Sequence, residues 1–173
     1  MKTIYLLRHA KSSWKNAERD DFERPLNKRG RRAAKAMGQF LRADNIAPAQ
    51  VLCSPALRTR ETLEGLQREL SVSLPVRFEQ SIYQAEAPAL LRRMHRLSDS
   101  LASVMIIGHN PGLEMLAMLL SCGGDDGART RLARKFPTCA LAILRADIDH
   151  WHDLAPGGAS LDAFIVGADL ADA

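Results

Sequence analysis

The sequence predicts an α/β fold, a three-layer sandwich whose mainly parallel central sheet carries helices on both faces. Three observations predict it. Short apolar runs alternate with longer segments whose apolar residues recur at helical spacing. One run, Ser103–Ile107 (Ser-Val-Met-Ile-Ile), is continuously apolar after its first residue, as strands buried on both faces are. Three runs stop abruptly at polar residues, Arg8-His9, Ser54-Pro55 and Gly108-His109, and in such sheets ligands bind outside the carboxyl ends of strands. No repeat, low-complexity tract or linker divides the 173 residues, so residues 1–173 are read as one domain.

Thr3–Leu7 is β-branched and apolar and reads as a buried strand. Residues 28–43 place Ala33, Ala34, Met37, Phe40 and Leu41 on one side of an amphipathic helix. Gln50–Cys53 is a short strand ending at Ser54-Pro55, where Ser54 reads as an N-cap and Pro55 as the first helical residue. Leu63, Leu66 and Leu70 line the helix that follows. Val76–Phe78 is the next strand, and Pro88–Leu97 a helix with Leu90, Leu91, Met94 and Leu97 on one face. After Ser103–Ile107, Asn110 and Pro111 repeat the cap-and-proline pattern ahead of Leu113, Leu116, Leu119 and Leu120. Ala140–Leu144 and a segment around Ile148–Leu154 read as late strands.

Composition excludes several classes. With 46% apolar and 25% charged residues the chain is an ordinary globular one rather than a disordered one. No apolar run approaches the ~20 residues of a membrane span, and the first residues lack a signal peptide's apolar stretch and cleavage site. Cys53, Cys122 and Cys139 are odd in number and form no CxxC pair, which argues against a disulfide framework or structural zinc and for a reducing, cytoplasmic location. The net charge of +4 is unevenly spread: from Asp147 onward there are six aspartates and no lysine or arginine. Basic residues cluster at Arg19–Lys35 and Arg129–Lys135, which suits a polyanionic ligand as well as it suits solvated helix faces. The basic stretches lack interleaved aromatics and no zinc-finger or RNP signature occurs, so no nucleic acid is expected. No GxxxxGK[ST] loop is present either.

If Arg8, His9, Arg58 and His109 converge at the carboxyl edge of the sheet, they make a phosphate site. Two guanidiniums offer forked donors matched to a tetrahedral oxyanion, and the helices after Pro55 and Pro111 bring positive dipole ends. One imidazole can then attack phosphorus in line while the other stabilises charge on the equatorial oxygens. With that much positive charge, no metal and no cofactor are required.

These residues sit in motifs. Leu7-Arg8-His9-Ala10-Lys11-Ser12 resembles the RHG signature of the histidine phosphatase superfamily. Ser54-Pro55-Ala56-Leu57-Arg58-Thr59-Arg60-Glu61-Thr62 is similar to its SP-x-x-R-x-x-x-T segment, and Gly108-His109-Asn110-Pro111 to the segment of its second histidine. Arg24-Pro25-Leu26-Asn27-Lys28-Arg29-Gly30 matches the R-P-L-T/N-x-x-G stretch, and Phe136-Pro137-Thr138 a late motif. The order holds from about residue 3 to 145, and the short length and RHAKSSW form look most like the SixA-type phosphohistidine phosphatases. The resemblance implies a phosphoglycerate mutase-like fold, His9 as the nucleophile, and Arg8, Arg58 and His109 as the rest of the pocket. Ser12 and Lys15 are expected to touch phosphate, Lys15 standing where many relatives have asparagine. It also implies a partner: a phosphorylated protein such as a histidine phosphotransfer domain, or a small phosphorylated substrate.

Departures from the pattern matter too. Ala10 replaces the usual glycine. Many relatives carry a glutamate acid in a Leu-x-Glu setting where this chain reads Ile82-Tyr83-Gln84, leaving Glu79 and Glu86 as substitutes. Only about 32 residues separate the Arg58 helix from the Ser103 strand, too few for a substrate-covering subdomain, so an open site is expected.

Three other readings compete with this one. A cysteine phosphatase needs Cys-x5-Arg, but from Cys53 the arginines fall at x4 and x6. His150-Trp151-His152 puts two imidazoles on one face of a strand, either a metal pair with Asp149 or Asp153 or simply exposed histidines. A phosphate-binding module without turnover would be expected to lose the nucleophile first, which this chain retains.

Overall fold

Each central strand of this chain must feed two apolar cores, and the alternation along it decides the layers. The computed structural model describes residues 1–15, 18 and 20–173; Arg19, the first residue of the basic cluster, lies outside them. The strands are β1 (Lys2–Arg8), β2 (Val51–Cys53), β3 (Val76–Phe78), β4 (Ser103–Gly108), β5 (Ser121–Gly124), β6 (Ala140–Ala146) and β7 (Ala159–Val166). They form one sheet in the order β3-β2-β4-β1-β6-β7-β5. The first four are mutually parallel, β6 is antiparallel to both its neighbours, and β5 runs parallel to β7.

The helices are α1 (Lys28–Ala43), α2 (Leu57–Gln67), α3 (Ala87–Met94), α4 (Gly112–Leu120), α5 (Asp126–Arg134) and α6 (Gly167–Asp172). Ile4 and Leu6 of β1 and Val104 and Ile106 of β4 point to one face, where α3, α4 and α5 bury Leu90, Leu116 and Leu132. Leu7, Met105 and Ile107 point to the other, where α1 and α2 bury Met37, Leu41, Leu63 and Leu66. The three-layer α/β architecture expected from the sequence is the one observed.

Local sequence rules failed at both helix starts behind the sheet. The helix after β2 begins at Leu57 with Ala56 as its cap, so Ser54 is not the N-cap and Pro55 is not helical. The Ser54 hydroxyl accepts from His109 Nε2 at 2.7 Å and, more distantly, from the Ala56 N–H at 3.4 Å. The helix after β4 begins at Gly112 behind a cis Asn110–Pro111 bond, and the Asn110 amide donates to Glu114 and the Phe136 carbonyl instead of capping.

The expected strand around Ile148–Leu154 is a 3-10 turn, Trp151–Asp153. Trp151 is fully buried there, its backbone N–H donating to Asp99 Oδ1 (2.8 Å) and its indole to the Leu101 carbonyl (3.0 Å). That anchoring overrides the strand-like alternation. The last strand is β7, further along.

Candidate active site

Register alone brings the three strand ends together. In the β1–β4 pair Arg8 lies opposite Gly108, and in the β2–β4 pair Cys53 lies opposite Ile107. The next residues, His9, His109 and Ser54, therefore leave the sheet side by side. The rings of His9 and His109 are 5.3 Å apart between centroids, and Arg58 Nη2 donates to His109 Nδ1 at 3.2 Å. Around them opens a cleft of about 470 Å³, lined among others by Arg8, Ser12, Arg24, Lys11 and Lys135.

Hydrogen bonds fix which nitrogen of each histidine is which. His9 Nδ1 is 2.7 Å from the Ala10 carbonyl, an acceptor only, so Nδ1 carries the proton and Nε2 keeps its lone pair. His109 Nδ1 accepts from Arg58, which leaves its Nε2–H to donate to Ser54 Oγ at 2.7 Å. Burial, aided by nearby arginines, pushes both rings down to about 3, so both are neutral near pH 7. Arg8 Nη1 donates to the Phe136 carbonyl at 2.8 Å. Among the described residues the buried Nε of Arg8 and of Arg58 find no acceptor, unusual for guanidinium donors.

The motif residues hold this frame. The Thr62 hydroxyl accepts from the Ala10 N–H at 2.9 Å and donates to the Arg58 carbonyl, tying the loop after β1 to α2. Asn27 caps α1 at Gly30 (2.8 Å), and its own N–H donates to the Lys11 carbonyl (2.9 Å). Gly30 lies so close to Lys11 that a Cβ would collide with its carbonyl oxygen. Arg24 is buried and donates to Ser12 Oγ at 2.9 Å, while its guanidinium stacks on exposed Trp14, 3.5 Å from the ring centre.

Of the expected site residues, Arg8, His9, Ser12, Arg58 and His109 all line the cleft. Lys15 does not: it is exposed and lies outside the lining. Glu79 is paired with Arg93 through two bonds of 2.7 Å, and Glu86 is exposed at the start of α3; neither lines the cleft. Gln84 does, its amide 3.4 Å from Asp21 Oδ2.

Asp21 was not anticipated. It is the one carboxylate among the described lining residues, and Arg58, Arg24 and Tyr83 all donate to it. Its sequence signal was its place three residues before Arg24 in the R-P-L stretch, hidden among the charges of a basic cluster. Elsewhere, Asp99 rather than Asp149 joins His150 and His152, with ligand atoms within 4.8 Å of one another on the exposed surface.

The family profile described as histidine phosphatase superfamily (branch 1) matches residues 4–83. An uncharacterised protein of Mycobacterium tuberculosis is 36% identical over 162 residues, 92% of this chain and 99% of its own. A structure from Nakamurella multipartitia, assigned as the phosphohistidine phosphatase SixA, is 31% identical with a TM-score of 0.81 over 95% of each chain. Its counterpart from Agrobacterium tumefaciens is 29% identical with a TM-score of 0.78, over 95% of this chain and 97% of its own. Motifs, fold and relatives agree: the chain belongs to the histidine phosphatase superfamily, in its SixA-type branch.

Proposed function

We propose that the protein is a metal-independent phosphatase that works through a phosphohistidine intermediate at His9, and that it removes phosphate from phosphohistidine in a protein. The observation that carries this reading is the neutral His9, its Nε2 lone pair free, set between buried Arg58 and half-buried Arg8, whose Nε–H groups find no acceptor among the described residues. A phosphoryl group docked on Arg8 and Arg58 presents phosphorus to that lone pair, and the two cations offset charge on the equatorial oxygens. A phosphate dianion also favours the protonated form of His109, which turns its Nδ1 from acceptor to donor. These groups together replace the charge a divalent ion would supply.

A protein substrate fits the open cleft. Trp14 is 75% exposed at its edge, and Lys11 and Lys135 stand exposed beside it. The relatives assigned as SixA phosphohistidine phosphatases point the same way.

The test is a rapid quench, without acid, during turnover of p-nitrophenyl phosphate in EDTA. Phosphate is expected on His9, acid-labile and alkali-stable, and His9→Ala is expected to lose turnover while still binding phosphate. Near-normal turnover by His9→Ala removes the mechanism. Comparing kcat/KM for a phosphohistidine protein, an aryl phosphate and sugar phosphates tests the substrate. Equal rates on sugar phosphates would make the enzyme a small-molecule phosphomonoesterase.

A further inference from the structure

The cleft holds a carboxylate that the proposed function leaves unused. Asp21 sits in a 3-10 turn, Asp21–Glu23, ahead of α1. Its Oδ2 accepts from Tyr83 OH at 2.8 Å and from Arg58 Nη2 at 3.0 Å, and its Oδ1 accepts from Arg24 Nε at 2.9 Å. Arg58 Nη1 donates to its backbone carbonyl at 2.6 Å, so the turn is fastened to α2 by backbone and side chain together. Partial burial alone would raise its pKa, but the Tyr83 hydrogen bond and the charges of Arg58 and Arg24 outweigh it and hold the carboxyl below its usual range. Near neutral pH such a group has no proton to give and can accept one.

We propose that Asp21 is the general base of the second half-reaction, taking the proton of the water that hydrolyses phosphorylated His9. The proposal rests on the reading of His9 as nucleophile. In the step, the water oxygen forms a bond to phosphorus while the bond from phosphorus to His9 Nε2 breaks. The electron pair returns to Nε2, the water's proton passes to Asp21 Oδ2, and inorganic phosphate leaves.

The surroundings favour this role. Asp21 faces Arg24 on its own turn, Arg58 from α2, and Tyr83 and Gln84 from the segment after β3; His109, after β4, shares the Arg58 Nη2. Burial raises the Tyr83 hydroxyl above its ordinary value and holds the His109 ring down to about 3, so before phosphate binds neither titrates near neutral pH. A phosphoryl group that engages Arg58, on the substrate or on His9, takes part of that cation from Asp21 and raises its proton affinity, so Asp21 is ready to take the water's proton once His9 is phosphorylated.

Among the described lining residues no second carboxylic acid serves the first half-reaction. With Asp21 ionised and Gln84 unable to donate a full proton, only leaving groups that depart unaided are served. Phosphohistidine is one: with its second ring nitrogen protonated it leaves as neutral imidazole. The device therefore selects the substrate class by leaving group.

The experiment is burst kinetics on p-nitrophenyl phosphate with Asp21→Asn. The first release of nitrophenolate, about one per enzyme, is expected to keep its rate within about threefold. Steady-state turnover is expected to fall by ~10²–10⁴-fold, with phosphate accumulating on His9. Formate added to Asp21→Gly is expected to restore turnover without changing the burst. Wild-type turnover by Asp21→Asn overturns the proposal, and so does a loss of the burst itself with no phosphohistidine accumulating. The underlying reading fails in a different way: wild type carries no phosphate at His9, and His9→Asn still turns over.

Discussion

Arg58 contributes geometry as well as charge. It is 3% exposed, and its two outer nitrogens reach Asp21 and His109 at once. A lysine keeps one positive charge but loses the fork, so Arg58→Lys is expected to lower kcat/KM by ~10²–10³-fold. Wild-type kinetics in that variant would make Arg58 a bystander, and Arg60 is no substitute, since it is exposed and outside the cleft. Tyr83 is a positioning residue on the same carboxylate. Its hydrogen bond helps hold Asp21 ionised, so Tyr83→Phe should raise the Asp21 pKa and move the acid limb of kcat to higher pH. An unshifted limb would separate Tyr83 from the chemistry. Glu86→Gln is expected to change neither limb, because the side chain lies outside the cleft.

At the scale of elements, the strand ends deliver the histidines and the helices behind them hold the loops. The contact of Thr62 with the Ala10 N–H ties the loop that carries His9 to α2, across 52 residues of sequence. Thr62→Val keeps the shape and leaves that buried N–H without an acceptor, which typically costs about 1–3 kcal/mol. A lower Tm together with a fall in kcat is expected; an unchanged Tm would show that the loop is held by other contacts. Gly30 acts at the other end of the same loop, where α1 meets Lys11. The R-P-L-N-x-x-G stretch is therefore a structural clasp as well as the source of Arg24, with Asp21 in the turn just ahead of it.

For the whole molecule, two buried neutral histidines make stability depend on pH. Both have folded pKa values of about 3 against an ordinary 6.5. The unfolded chain therefore takes up protons first as pH falls. The stabilisation is fully present above about 6.5 and is lost progressively between 6.5 and 3. Melting curves across that range are expected to show a steeper loss of Tm in wild type than in a His9→Asn/His109→Asn double variant. Parallel slopes would mean the histidines are protonated in the folded protein. Phosphate bound by the folded form alone is expected to raise Tm with concentration.

Two things were legible in the residues alone: the layers, and the edge of the sheet at which the cleft opens. Apolar periodicity in Thr3–Leu7, Ser103–Ile107, residues 28–43 and the Leu63 and Leu113 helices is dictated by burial, and burial is a property of every residue in those elements. Polar residues at the ends of those runs marked Arg8, His9 and His109 for the same reason, since a buried strand keeps no unpaired charge, and the motif after Ser54-Pro55 added Arg58 from α2. Where burial gave no period, the sequence was silent. β5 reads Ser-Cys-Gly-Gly and pairs only with β7, α5 buries only Ala128 and Leu132, and α6 spans six residues. Long-range contacts set the roles of Ser54 and Asn110, whose side chains meet His109 and the Phe136 carbonyl instead of capping a helix. Tertiary structure alone placed Asp21 on Arg58, 37 residues away, and Glu79 on Arg93, outside the cleft. A carboxylate's partner is chosen by which cations the folded chain brings within about 3 Å, and no local pattern encodes that distance.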